Sequence, residues 1–207
     1  ADPIRLRRFP LDLGRAIRGN RFVYTAHNLI PHRWANHPVV ARHMAYTLGR
    51  AERIIVHSRQ AGEVLAERWP HEAPTGKQVV LPLGDLAADF PGPVSAPKAR
   101  NRLGANAADP FALVFGRIDA YKGVEDLLDS WAYETHGQRL VIVGSCTDGG
   151  LAQRLRTHPV VLAGRAVIQV GERISDEDLR DWLCACTCVL FNYTEIFTSG
   201  GASLARS

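Results

Sequence analysis

"VFGRIDAYKGVEDLLDSW", residues 114–131, decides how this chain is read. An apolar run ends at Gly116. A short polar turn carries Arg117 and Lys122, and Gly123 leads into a stretch with helical spacing. In open α/β sheets ligands bind beyond the carboxyl ends of the strands. A glycine there admits a ligand close to the backbone. Arginine can fork onto two phosphate oxygens, lysine adds a compact charge, and a helix start adds partial positive charge. The pattern suits a diphosphate. Spacing alone serves equally well for a solvated turn with a basic surface. On such a solvent-facing turn, loss of Lys122 would barely change stability.

Outward from that turn, strand and helix alternate. Residues 21–28 form a short apolar run, 39–51 have helical spacing, and 52–58 read as a strand. Residues 58–69 read as a helix opened by a serine cap, and 77–84 as a strand. After them come a strand over 111–116, a helix over 124–134 and a strand over 139–145. A helix over 150–158, a strand over 166–171, a helix over 175–185 and a strand over 187–193 follow. "SGGASLARS" opens a final helix. Near-continuous apolar strands separated by helices predict parallel sheets covered on both faces.

Between the two runs, "LAADFPGPVSAPKA" holds Pro91, Pro93 and Pro97 and reads as a boundary or hinge. The expectation is two α/β domains, 1–88 and 89–207. Neither block shows the full complement of strands and helices for its type, so both are expected to be parts of a longer protein.

The 207 residues include 46% hydrophobic and 22% charged, with net charge +4. No apolar stretch reaches membrane-span length, and "ADPIRLRRFPLDL" lacks the apolar core of a signal peptide. A mild positive balance permits an anionic partner without identifying one. Cys184, Cys186 and Cys188 alternate, which suits buried free thiols on one face of a strand or its approach better than a metal site. Reduced thiols fit a cytoplasmic location.

A second anion-friendly strand end is "YTEIFTSGGASLARS" (193–207), where Ser199, Gly200 and Gly201 precede a helix. Its plain alternative is a serine cap with glycine for packing. Paired with Arg117 and Lys122, it suggests one extended phosphate ligand. No G-x-G-x-x-G follows a strand, and "GRIDAYKG" lacks the ending of a P-loop. "SDED" (175–178) contains an Asp-x-Asp string, but acids at a helix start complement the dipole, and the cap reading is preferred. His27 closes the first readable strand, placed to bond a sugar hydroxyl or assist a leaving group. His27, His32 and His37 are evenly spaced, yet no zinc motif surrounds them.

Taken in order, "VYTAHNLIPH", "AERIIVHS", "VVLPLGD", "LVFGRIDAYKGVEDLLDSW", "LVIVGS" and "ERISDEDLRDWLCACTCVLFNYTEIFTSGGASLA" resemble glycosyltransferase family 4. The resemblance covers nearly the whole chain, and "FGRIDAYKG" is its most specific part. It implies the GT-B fold of two Rossmann-like domains. The first, 1–88, would be the later part of the acceptor-side domain, and 89–207 the nucleotide-sugar domain. It implies a retaining glycosyltransferase, of hexosyltransferase type, acting in polysaccharide biosynthesis. A sugar would pass from a nucleotide-diphosphate sugar to a glycan or lipid-linked acceptor, with no metal and no nucleic acid involved.

The resemblance also assigns residues. Gly116, Arg117, Lys122, Ser199, Gly200 and Gly201 would hold the donor diphosphate. His27 would lie beside the transferred sugar as the catalytic residue, and Arg173 and Ile174 would touch the base. There are departures. With the family glycine aligned on Gly200, Phe197 and Ala205 stand where many members carry paired glutamates, and Glu195 is nearby but out of register. Leu83 replaces a frequent histidine and Asn192 a frequent proline. These departures favour the alternative of a non-catalytic nucleotide-binding module; a sugar-nucleotide epimerase on the same fold is the other alternative. The arginines at 5, 7, 8, 15, 18 and 21 add an expectation of peripheral contact with an anionic membrane face.

Overall fold

The structure, a computed structural model, describes residues 3–29, 38–84, 86–104, 109–133, 137–171, 173–194, 197 and 199–206. The chain falls into two compact units, Ala1–Gly84 and Asp85–Ser207. Both are α/β with wholly parallel sheets. Among the described residues no helix is long and apolar enough to cross a membrane.

In the first unit, α1 (Pro3–Ala16) precedes β1 (Val23–Thr25), α2 (Pro38–Arg50), β2 (Arg53–Val56), α3 (Arg59–Arg68) and β3 (Gln78–Val80). The sheet order is β1-β2-β3, with Val23 opposite Arg53 and Ile54 opposite Gln78. Ser58 caps α3, its side chain accepting from the Ala61 amide at 3.0 Å. Lys77 closes the other end of α2. Its ammonium donates to the carbonyls of Leu48 at 2.6 Å and Gly49 at 3.2 Å, which the helix itself leaves unpaired. Helix α1 was not expected, because its apolar positions are interrupted by arginines and Pro10.

The second unit runs α4 (Ala96–Leu103), β4 (Phe111–Phe115), α5 (Val124–Trp131), β5 (Arg139–Ser145), α6 (Gly149–Arg156) and α7 (Pro159–Leu162). It continues with β6 (Ala166–Gly171), α8 (Asp176–Ala185), β7 (Cys188–Val189) and α9 (Gly200–Arg206). Sheet order is β6-β5-β4-β7. All five residues of β4 are buried. Ala112 and Val114 join one apolar cluster with Leu128 of α5 and Leu155 of α6. Phe111, Leu113 and Phe115 join the other, with Ala99 of α4 and Trp182 of α8. A strand covered on both faces has no polar side to show, which is why its sequence does not alternate. Each such large side chain contributes about 1.5–3 kcal/mol on burial.

Three expectations need correction. The proline-rich segment is not wholly linker. Pro97 sits in the first turn of α4, where its missing N–H costs nothing. That helix is tied to α8 by Arg102 against Asp181 at 3.3 Å and by Arg100 to the Ala185 carbonyl. The strand expected over 187–193 is only two residues long, Cys188–Val189; Leu190 still donates to Leu113 of β4 at 2.8 Å, and past it Asn192 and Thr194 bond to the carbonyls of Gly123 and Tyr121 instead. The alternating cysteines do not share a strand face. Cys184 lies in α8, Cys186 caps it and Cys188 opens β7. Cys184 and Cys186 are half-buried and Cys188 is exposed, so the trio is not the buried set expected.

Candidate functional site

The site expected from the sequence surrounds the carboxyl end of β4. Gly116 leaves the strand at φ +94° and keeps its amide on the Val143 carbonyl at 3.1 Å. Its own carbonyl passes so close to β5 that a Cβ on Gly144, at φ +137°, would lie 2.0 Å from it. Ile118 is fully buried and anchors the turn through its amide to Ser145 at 2.7 Å. Ala120–Lys122 make one tight helical turn, and Gly123, at φ +59°, redirects the chain into α5.

The two cations of that turn differ in kind. Arg117 is 54% exposed, its Nε 2.8 Å from the Asp119 carboxylate. Lys122 is only 6% exposed, so it is not the side chain of a solvated turn. A buried ammonium must be paired. Its Nζ donates to the Phe115 carbonyl at 3.2 Å and to the Tyr193 hydroxyl at 2.9 Å. It also lies 4.6 Å from the centre of the Tyr193 ring, a cation–π arrangement.

Tyr193 then joins the two strand ends. Its hydroxyl accepts from Lys122 and shares a hydrogen bond of 3.3 Å with Ser199 Oγ, in which either hydroxyl can donate. Ser199 Oγ in turn accepts from the Ala202 amide at 3.1 Å, so it caps α9. The segment is fastened to the turn by Asn192, whose side-chain amide donates to the Gly123 carbonyl at 2.8 Å, and by the Thr194 amide on Tyr121 at 2.9 Å. Tyr121 and Tyr193 meet edge to face, and burial holds the Tyr121 hydroxyl above its ordinary range. Gly201 packs at the Phe115 and Phe191 rings, and Gly200 is exposed beside Leu86.

Lys122 and Ser199 are therefore joined through Tyr193, with Gly116 and Arg117 on the same turn as Lys122 and Gly200 and Gly201 following Ser199. Tyr193 and Asn192 tie the two segments, and neither was among the expected site residues. The signal was present in the sequence only as a tyrosine and an asparagine just past a short strand. Glu195 lies outside the described residues, as do His32 and His37.

Arg173 and Ile174 precede α8. Arg173 is exposed and 3.7 Å from Asp176. Ile174 packs on the cluster holding Trp182. Ile174 also lines an open cleft of about 530 Å³ with Gly144, Gln169, Gly171, Asp178 and Trp182. Through Gly144 this cleft adjoins the Gly116 turn. The "SDED" run is a helix start: Ser175 Oγ accepts from the Asp178 amide at 3.0 Å, and Asp176, Glu177 and Asp178 occupy the first turn.

His27 belongs to the first unit. It follows β1 and is exposed, and its Nδ1 lies 3.1 Å from Nε2 of His57. His57 Nδ1 is 2.9 Å from the Leu81 carbonyl.

No protein-family model matches the chain, and no curated protein sequence matches it. Solved structures do. Sucrose-phosphate synthase from Thermosynechococcus elongatus superposes with a TM-score of 0.70 at 24% identity, covering 93% of this chain and 50% of that one. HepE of Anabaena, solved in complex with UDP-glucose, gives 0.73 at 16% identity over 96% of this chain and 55% of its own. WaaG, a glycosyltransferase involved in lipopolysaccharide biosynthesis, gives 0.64 at 13% identity over 91% and 57%. The chain spans about half the length of these proteins. Their fold is GT-B, and the chain has that α/β fold with Rossmann-like parallel sheets.

Proposed function

We propose that this chain is part of a glycosyltransferase and that its second unit binds the diphosphate of a nucleotide sugar. The network running from Lys122 through Tyr193 to Ser199 carries the reading. It concentrates a buried cation, an exposed arginine and a capped helix start at the carboxyl end of a parallel strand. HepE has been solved with UDP and glucose, which supports a nucleotide sugar as the ligand class.

In this reading Arg117 exchanges Asp119 for a phosphate, and Lys122 turns one N–H from its internal acceptors to another. Gly116 lets the phosphate approach, and the Ser199–Gly201 segment receives its far side. Arg173 and Ile174 stand by the base. His27 serves the sugar. Retention of configuration follows if the bond from the sugar's anomeric carbon to the diphosphate breaks as the acceptor oxygen bonds the same face. The acceptor proton then passes to the departing phosphate. The cations stabilise that leaving group, a role that elsewhere falls to a metal. The acceptor is a glycan or a lipid-linked saccharide, and the location is cytoplasmic, at the inner face of a membrane. Exposed Arg8, Arg15 and Arg18 beside exposed Phe9 and Leu11 of the N-terminal region support membrane contact.

Calorimetry with UDP, GDP and ADP, each with and without EDTA, tests the reading. Saturable binding of one nucleotide, indifferent to EDTA and lost on Lys122→Ala, is expected. Absence of binding to all three would overturn it. Binding without sugar transfer to any acceptor would favour the module alternative, to which the residues at the paired-glutamate positions, Phe197 and Ala205, lend support.

A further inference from the structure

The turn from Gly116 to Gly123 holds one acid, Asp119, beside its two cations. The Asp119 carboxylate lies 2.8 Å from Nε of Arg117. The partners are unequal. The Asp119 side chain is mostly buried, while that of Arg117 is half exposed. The Asp119 backbone is also fastened, its carbonyl accepting from the Lys122 amide at 3.0 Å. The arginine is a long side chain, met by the Tyr121 hydroxyl as well. The carboxylate is therefore the fixed partner and the guanidinium the movable one.

Asp119 forgoes a use that its position offers. It precedes the Ala120–Lys122 turn with extended backbone, φ −135° and ψ 164°. An aspartate there ordinarily accepts from an amide of the turn it opens. The Asp119 side chain makes no such cap bond and meets Arg117 instead. Carboxylate oxygens offer a guanidinium the same charge-assisted bonds as phosphate oxygens. Asp119 thus makes, from within the chain, the contact that a phosphate would make. Lys122 is engaged likewise, on the neutral Phe115 carbonyl and Tyr193 hydroxyl.

We propose that Asp119 is a specificity-determining residue, an internal anion that competes with phosphate for Arg117. Sharing one guanidinium would set a phosphate against a fixed charge of its own sign, so Arg117 leaves one for the other. Releasing the pair weakens every phosphate ligand by the same factor. A bare phosphate has little else to hold it and is rejected. A nucleoside diphosphate brings base and ribose contacts and is kept. The proposal rests on the diphosphate reading of this turn.

Calorimetry on the 207-residue chain, with inorganic pyrophosphate and with UDP, GDP and ADP, tests it. Asp119→Asn should tighten pyrophosphate and the bound nucleotide alike, by about two- to fivefold, the worth of an exposed ion pair. A residue that only supported the turn would weaken binding when replaced. With Arg117→Ala already present, Asp119→Asn should lose most of its effect, since the two act as a pair. Unchanged or weaker binding of both ligand types in Asp119→Asn, or an equal gain with Arg117 absent, overturns the inference. Should Arg117→Ala bind nothing, Asp119→Asn against the wild type still decides. Thermal melting checks that the variants fold, and Asp119→Ser, also suited to a turn start, replaces an unstable Asp119→Asn. Tighter pyrophosphate with no nucleotide bound by either protein would keep this inference and remove the nucleotide reading.

Discussion

The Lys122 ammonium donates to the Tyr193 hydroxyl at 2.9 Å while lying 4.6 Å from the centre of the same ring. The cation is thus held by both parts of one side chain, seventy-one residues away in sequence. A buried charge held this way serves the fold as well as any ligand.

Lys122→Ala should therefore lower both binding and stability. Loss of a charge-assisted bond to phosphate costs about 1.5–3 kcal/mol of nucleotide affinity. The Phe115 carbonyl and Tyr193 hydroxyl lose their donor, at about 1–3 kcal/mol of folding stability. Calorimetry with UDP and urea denaturation separate the effects. Wild-type affinity in the mutant would refute the phosphate role.

Tyr193→Phe keeps the ring over the ammonium and removes the hydroxyl between Lys122 and Ser199. Stability should fall by about 0.5–1.5 kcal/mol, the net value of a hydrogen bond. Nucleotide affinity should hold or improve, because Lys122 gives up a competing acceptor. A loss of affinity larger than in Lys122→Ala would mean that Tyr193 itself meets the ligand.

Gly144→Ala should be among the most damaging changes in the second unit. The new Cβ would lie 2.0 Å from the Gly116 carbonyl oxygen, at a backbone φ of +137° that other residues rarely adopt. Neither backbone segment can yield without breaking β4–β5 pairing, so a cost above about 3 kcal/mol is expected. Thermal melting that leaves the transition within a degree or so of wild type would contradict the close approach.

The cysteines should alkylate in a set order. Burial pushes the Cys186 thiol up to about 11, so thiolate is scarce at neutral pH and reaction is slow. Cys188 is exposed and should react first. A raised folded value also means that Cys186 contributes stability below the ordinary thiol range. That contribution is lost as pH rises toward 11. Mass spectrometry of timed iodoacetamide digests gives the order, and Cys186 labelling ahead of Cys188 would reverse the assignment.

Sedimentation with vesicles tests the proposed membrane contact. Binding should need anionic lipid and weaken with salt through screening. It should fall when Arg8, Arg15 and Arg18 become serine, and separately when Leu11, 65% exposed, becomes serine. Equal binding to neutral vesicles would remove the electrostatic explanation.

Much of this protein was legible along the chain. The strands over 139–145 and 166–171 were bounded as found, and the serine caps at Ser58 and Ser175 marked helix starts correctly. These are local matters: a run of apolar residues and a hydroxyl three positions before an amide need only their neighbours. Helix α4 was not legible, because its support comes from Arg102 and Arg100 reaching α8 about eighty residues later.

The sequence by itself determined the α/β alternation, the glycine at the β4 exit and the presence of Arg117 and Lys122 in one turn. Periodicity and residue chemistry are properties of the chain and persist whatever it packs against. Only the tertiary structure decided that Lys122 is buried on Tyr193 while Arg117 stays exposed on Asp119. Only the sheet register joined His27 to His57 and Leu81. Burial and hydrogen-bond direction are set by partners distant in sequence, brought within reach when parallel strands align and their ends come to one edge.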